Sequence, residues 1–153
     1  MQRLELKVPP LLLLFVVGGA MLGVTHSAPQ LSFSLAGSSA IALVFVALGA
    51  ALVFAGVIAF RAERTTVNPL TPNASSSVVT SGVYRISRNP MYLGFLLVLA
   101  GWSIYLSNAG AVLLLPAFVA YMTQYQIKPE ERALLAKFGA DFAHYMSRVR
   151  RWL

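Results

Sequence analysis

The chain has 153 residues, 58% of them hydrophobic and 11% charged, against about 25% charged in soluble domains. That apolar excess excludes a soluble globule and makes the chain an integral membrane protein, with length for one domain over residues 1–153. The net charge of +7 comes without any cysteine, which excludes disulfides, thiolate catalysis and cysteine-ligated metal.

Residues 1–7 are a short charged lead-in. Pro9-Pro10 suits the first turn of a helix, where a missing N–H costs nothing. No charged residue stands between Lys7 and Arg61, which is 53 positions, or between Arg88 and Lys128, which is 39. A spanning helix takes about 20 apolar residues, so each gap holds two spans and a turn. The expected spans are 8–25, 38–60, 90–107 and 110–127. Arg3 and Lys7 ahead of Leu11–Val17 resemble a secretory signal, but Ser27-Ala28-Pro29 is a poor cleavage site, so the first segment is expected to stay as a span. Residues 26–37 read as a Ser-rich loop. Gly18, Gly19, Gly23, Gly49 and Gly56 are expected to let helices pack closely.

Residues 61–81 read as an irregular segment marked by Asn-Pro and Thr-Pro turns. Ser107–Gly110 closes the last two spans into a hairpin, and Pro116 should kink the fourth. From Pro129 the tail reads as an amphipathic helix with Leu134, Phe138, Phe142, Tyr145 and Val149 on one stripe. Its terminal arginines and Trp152 are expected at the lipid headgroups, with Arg148 and Arg151 as anchors. With four spans, all twelve Lys and Arg residues fall on one side. The positive-inside rule then puts both termini in the cytoplasm. The expectation is an all-α protein of four transmembrane helices with a cytoplasmic C-terminal amphipathic helix.

The polar groups cluster in two places beside the spans, Gly82–Gly94 and Pro129–Arg132. Arginines offer fixed, forked donors to carboxylate or phosphate. Glu130 and Glu131, the adjacent carboxylates, can hold an ammonium group, or one can serve as a base. Tyr84 and Tyr92 can stack on a flat ring or donate hydrogen bonds. Together these suit a zwitterionic, ring-bearing cofactor. The same arginines and tyrosines also suit plain membrane anchors and an interfacial belt. His26 and His144 fall on opposite sides, so no metal site is expected, and the charge placement points to lipid rather than nucleic acid.

Gly82, Tyr84, Arg85, Arg88, Pro90, Tyr92 and Gly94, followed after a hairpin by Glu130-Glu131, Leu134, Phe138-Gly139, Tyr145 and Val149-Arg150, resemble the pattern of a membrane methyltransferase superfamily. That superfamily includes isoprenylcysteine carboxyl methyltransferase and phosphatidylethanolamine N-methyltransferase. Thr65–Pro69 resembles a motif of its bacterial isoprenylcysteine-methyltransferase-like branch, and the likeness covers residues 64–153. The resemblance implies an S-adenosyl-L-methionine-dependent enzyme of the bacterial inner membrane, its site facing the cytoplasm, acting on a lipophilic acceptor drawn from the bilayer. It implies a cofactor pocket lined by Arg88, Asn89, Pro90 and Tyr92, with Glu130 or Glu131 on the amino group and Tyr145 and Arg150 closing over it. Arg85 and Arg150 would orient an anionic acceptor or the cofactor carboxylate. Asn89 stands where the pattern has His, and an amide cannot take a proton. That favours an acceptor already anionic, carboxylate or thiolate. An amine acceptor would need Glu130 or Glu131 as base. The resemblance favours an isoprenylcysteine carboxyl O-methyltransferase-like activity; the competing readings are a phospholipid N-methyltransferase or other small-acceptor methyltransferase, and a non-enzymatic membrane module or transporter. A transporter should carry polar residues near mid-bilayer, and spans one, two and four have almost none.

Overall fold

The computed structural model describes residues 5–63 and 77–153; Arg3, Arg64 and the Thr65–Pro69 motif lie outside them. Six helices follow in order: α1 Pro10–Ser27, α2 Ser38–Ala62, α3 Pro90–Leu106, α4 Ala109–Val112, α5 Leu114–Tyr121 and α6 Lys128–Arg148. Short 3-10 turns stand at Pro29–Leu31 and Gly82–Arg85, and a π-helical turn at Met122–Ile127 joins α5 to α6. Among the described residues there is no β-strand. Helices occupy all four predicted positions. Three are long and apolar enough to cross a membrane: α1, α2 and the composite helix Ala109–Arg148. The fourth, α3, has 17 residues.

Proline punctuates the bundle as the sequence suggests. Pro10 opens α1 and Pro90 opens α3, each at a first-turn position. Pro116 has no N–H for the carbonyl four residues back and its ring presses on that carbonyl. The helix accordingly breaks at Leu113, between α4 and α5. Between α5 and α6 the chain does not turn aside. Helix continues through the π turn, and the interruption comes later, at Gly139 (φ 53, ψ −123) inside α6. Glycine meets no steric cost at that positive φ.

The two ends of the bundle differ. At one, Phe33 N–H donates to the Ser107 carbonyl at 2.8 Å. There the buried Asn108 amide donates to Ala28 O at 3.0 Å and to Ser32 Oγ at 3.1 Å. At the other, the segment ahead of α1 meets the start of α6: Glu5 pairs with Arg132 at 2.5 Å and Leu6 N–H donates to the Tyr125 carbonyl at 3.0 Å. All the charged side chains of α6 and of the 82–89 segment lie at this second end.

The core joins Met21 of α1, Leu99 of α3, Ala111 of α4, Phe118 of α5, and Met122 and Ile127 of the π turn. Against it, α2 and α3 touch backbone to backbone. A methyl group on Gly94 would stand 2.6 Å from the Gly49 carbonyl oxygen, and one on Gly101 2.8 Å from that of Ala42. Large apolar side chains such as Phe15, Leu43 and Phe54 point outward instead, as a lipid-facing surface requires.

Gly94→Ala should therefore force α2 and α3 apart at a cost of about 1–3 kcal/mol, read as a lowered melting temperature in detergent micelles. Gly19, with open space around it inside α1, is the control: Gly19→Ala should melt at or slightly above the wild type, since alanine is the better helix former.

Candidate active site

The second polar cluster is built around one carboxylate. Glu131, in the first turn of α6, receives Arg88 Nη2 at 2.8 Å on Oε1. Arg151 grips it from the C-terminal segment, Nη2 at 2.6 Å on Oε2 and Nε at 3.1 Å on Oε1. The Arg88 and Glu131 side chains are only 10% and 11% exposed. A charge so far from water is tolerable when paired and fully hydrogen-bonded, and the forked guanidinium of Arg151 gives the bidentate geometry that does this best. The carboxylate in turn holds the Arg151 guanidinium more firmly protonated.

Backbone geometry brings these groups together. The Gly82–Arg85 turn begins at a positive φ of 58° on Gly82. It delivers Ser87, Arg88 and Asn89 to the mouth of the bundle. After Arg148 the chain leaves the helix, with Val149 extended, and runs back across that loop. Arg88 N–H donates to the Arg150 carbonyl at 3.0 Å and the Asn89 side-chain amide to the Arg151 carbonyl at 2.9 Å. Trp152 Nε1 donates to Thr123 Oγ1 at 3.1 Å. Tyr145 OH donates to the Tyr84 carbonyl at 2.8 Å, fixing the second half of α6 on the same turn.

Beside this network lies a cavity of about 380 Å³, in the usual size range of small-molecule sites, about 300–1,000 Å³. Its apolar lining includes Leu11 from α1 and Val53, Val57 and Phe60 from α2, the last ring edge-on to Tyr84 at 5.4 Å. Its polar lining is Tyr84, Arg88, Asn89, Tyr92, Glu130, Glu131 and Tyr145. Glu130 Oε1 accepts from Tyr92 OH at 2.6 Å and from the Gln126 side-chain amide. Among the described residues no cation pairs with Glu130. It stands three positions beyond the last apolar run, and burial pushes its carboxyl up to about 7 against the lowering effect of those two donors. Burial also pushes Tyr145 up to about 12 and Tyr84 well above the usual phenol range, so both remain hydroxyl donors. Arg88 directs Nη1 to the Met146 carbonyl at 2.9 Å. Its Nε is buried with no partner among the described residues, an unmet donor of a kind that native proteins rarely leave.

The structure sorts the expected residues. Tyr84, Arg88, Asn89, Tyr92, Glu130, Glu131 and Tyr145 all line the one cavity. Pro90 is buried behind them as the first residue of α3. Arg150 is exposed, and only its carbonyl joins the network. Arg85 is exposed on a separate groove. Arg151 and Trp152, expected among lipid headgroups, are folded inward on Glu131 and Thr123. Glu131, expected as a candidate for the ammonium, has both oxygens taken by arginine. Gln126 and Ser87 carry no sequence signal of their own. Gln126 reaches the site because the π turn aims it at Glu130, and Ser87 because its hydroxyl receives Asn89 N–H at 3.1 Å.

Comparison with known proteins places this geometry in a family. A profile of the phospholipid methyltransferase family matches residues 38–141. A Haemophilus influenzae protein described as uncharacterized is 43% identical over 63 residues, 41% of this chain and all of that one. Methanethiol S-methyltransferase 2 of Bradyrhizobium diazoefficiens is 40% identical over 76 residues, 50% of this chain and 28% of the relative. Protein-S-isoprenylcysteine O-methyltransferase B of Arabidopsis thaliana is 29% identical over 107 residues, 70% of this chain and 54% of the relative. The chain thus spans between about a quarter and about half of the named methyltransferases it matches. No solved structure matches it. The profile covers well over half of the sequence, and the residues that form the cavity's polar lining fall mostly inside it: the chain belongs to the phospholipid methyltransferase family, within the membrane methyltransferase superfamily.

Proposed function

We propose that the chain is an S-adenosylmethionine-dependent methyltransferase that acts on a lipophilic acceptor at the cytoplasmic face of a bacterial inner membrane. The observation that carries this reading is one cavity whose largely apolar lining includes the Glu130 carboxylate, which no described cation pairs, and Arg88, whose Nε lacks a partner among the described residues. The topology follows from the charges. A 17-residue α3 is at the lower limit of a span. Counting it gives four spans, with both termini and every described cation at the cytoplasmic end.

The donor set fits the cofactor. Glu130 would hold its ammonium group, the free Nε of Arg88 its carboxylate, and the rings of Tyr84 and Tyr92 its base. The chemistry such a cofactor supplies when bound is an electrophilic methyl group on a sulfonium. The chain's own task is to fix donor and acceptor in line, which can account for much of the rate. Val53, Val57 and Phe60 exclude water and would seat the acceptor's apolar portion. The arginine-bound Glu131 holds the frame. Arg85 and Arg150 stay outside the contact shell. An anionic thiolate or carboxylate acceptor needs no base, and the relatives named for S- and O-methyl transfer support that reading. An amine acceptor is a second reading, favoured by one feature: burial pushes the Glu130 carboxyl up to about 7, close to where a base works best.

Three outcomes test these assignments. Glu130→Gln should weaken S-adenosylhomocysteine binding by roughly 10–150-fold, the value of a charged hydrogen bond, while melting with the wild type. Glu131→Gln should instead lower stability by about 3 kcal/mol, since it strands two cations that share one counter-charge. Calorimetry and thermal melts on both variants separate the roles, and equal behaviour would refute the division. Because the raised carboxyl is ionised only above about pH 7, affinity should fall as pH drops from 8 to 6. In Glu130→Gln that slope should vanish. Finally, tritiated methyl cofactor incubated with the chain and a membrane extract should label a lipophilic species; label confined to water-soluble products would refute the acceptor class.

A further inference from the structure

On the far side of Tyr145 from the cavity lies a second groove, of about 530 Å³, lined by Thr80, Ser81, Arg85, Asp141, His144, Tyr145, Arg148 and Val149. We infer that this groove binds the phosphate of a membrane-lipid headgroup, at a site separate from the reaction cavity and independent of the function proposed above.

Charge and rigidity support it. Arg85 and Arg148 are both exposed, and among the described residues neither meets an acid. Two guanidinium groups stand against one carboxylate, Asp141, so the groove is electropositive at neutral pH. Arginine forks match the oxygens of a phosphate. The platform beneath them is fixed. Tyr84 N–H bonds the Ser81 carbonyl at 3.1 Å, and Tyr145 OH bonds the Tyr84 carbonyl at 2.8 Å. Arg85 thus projects from a pinned turn while Arg148 ends α6, where the carbonyl end of a helix favours a cation. The Tyr84–Tyr145 contact is also the partition, with Arg88 on the cavity side and Arg85 on the groove side. Ser81 turns its hydroxyl toward Glu63 at 3.4 Å, which leaves Thr80 as the hydroxyl free to face a ligand.

The source of the phosphate is read from the neighbouring residue. Ile86, 67% exposed, follows Arg85 directly, and α3 enters the apolar layer four residues later. A cation and an aliphatic side chain side by side at that depth suit a headgroup with its chains, not a free anion.

The test uses the full chain in a neutral maltoside detergent, titrated with dihexanoyl phosphatidylglycerol below its micellar concentration and followed by thermophoresis and melting temperature. Saturable binding with a rise in melting temperature is expected. Arg85→Ala with Arg148→Ala should weaken binding by roughly 25-fold, about fivefold per arginine. Asp141→Asn, which removes the acid from the groove, should tighten it. Wild-type affinity in the double variant overturns the site, as does unchanged or weaker affinity in Asp141→Asn. Inorganic phosphate saturating at the same concentration, and competing with the lipid, overturns the membrane source in favour of a free anion.

Discussion

Two arginines from segments distant in sequence share one carboxylate, and the arrangement of the polar end of the bundle rests on that sharing. Arg88 precedes α3, Glu131 opens α6, and Arg151 lies beyond its end. Neither Arg88 nor Glu131 could be this far from water alone, since an unpaired buried ion costs several kcal/mol. Together with Arg151 they oblige three segments distant in sequence to meet at one point. The C-terminal segment is drawn over the 87–89 loop, and its carbonyls then satisfy Arg88 N–H and the Asn89 amide. Asn89, the residue that departs from the superfamily pattern, is thus engaged as a donor to the backbone of that segment.

The network also explains how neighbouring glutamates come to do different work. Successive residues on a helix point about 100° apart. With Glu131 locked between arginines, Glu130 is turned to the cavity, where Tyr92 and Gln126 hold one oxygen and no described cation neutralises it. One helical turn therefore carries a closed ion cluster and an open carboxylate. The first keeps the protein folded, and the second gives the cavity its polarity.

Much of this was readable in the sequence, for identifiable reasons. Two charge-free runs of 53 and 39 residues leave no soluble alternative, so the four helical positions follow from length alone. The break near Pro116 follows from its missing donor. The meeting of Gly82–Gly94 with Glu130-Glu131 came from resemblance, since composition cannot pair distant segments. What stayed hidden depends on the backbone path. Gly139 inside a helical pattern costs only about 1 kcal/mol relative to alanine, so nothing distinguishes a tolerated glycine from one that turns the chain. The stripe through Val149 assumed helix to the end. The chain becomes extended at Val149 instead. In extended chain alternate residues share a face, so the inward role passes from Arg150 to Arg151. Three arginines in four positions give no sign of that switch.

The π turn at Met122–Ile127 has a consequence for how such a protein can evolve. A π turn accommodates one residue more than the α-helix it interrupts, which offsets the two flanking stretches by about 100° of helical phase. The apolar residues of α4 and α5 answer to their surroundings and to α1 and α3, while Glu130 and Glu131 answer to the cavity and the arginines. A continuous α-helix would tie these two sets of demands to a single rotation. With the offset in place, the membrane half and the site half of one helix can each keep the facing it needs, and a change of packing in the bilayer need not misalign the carboxylates.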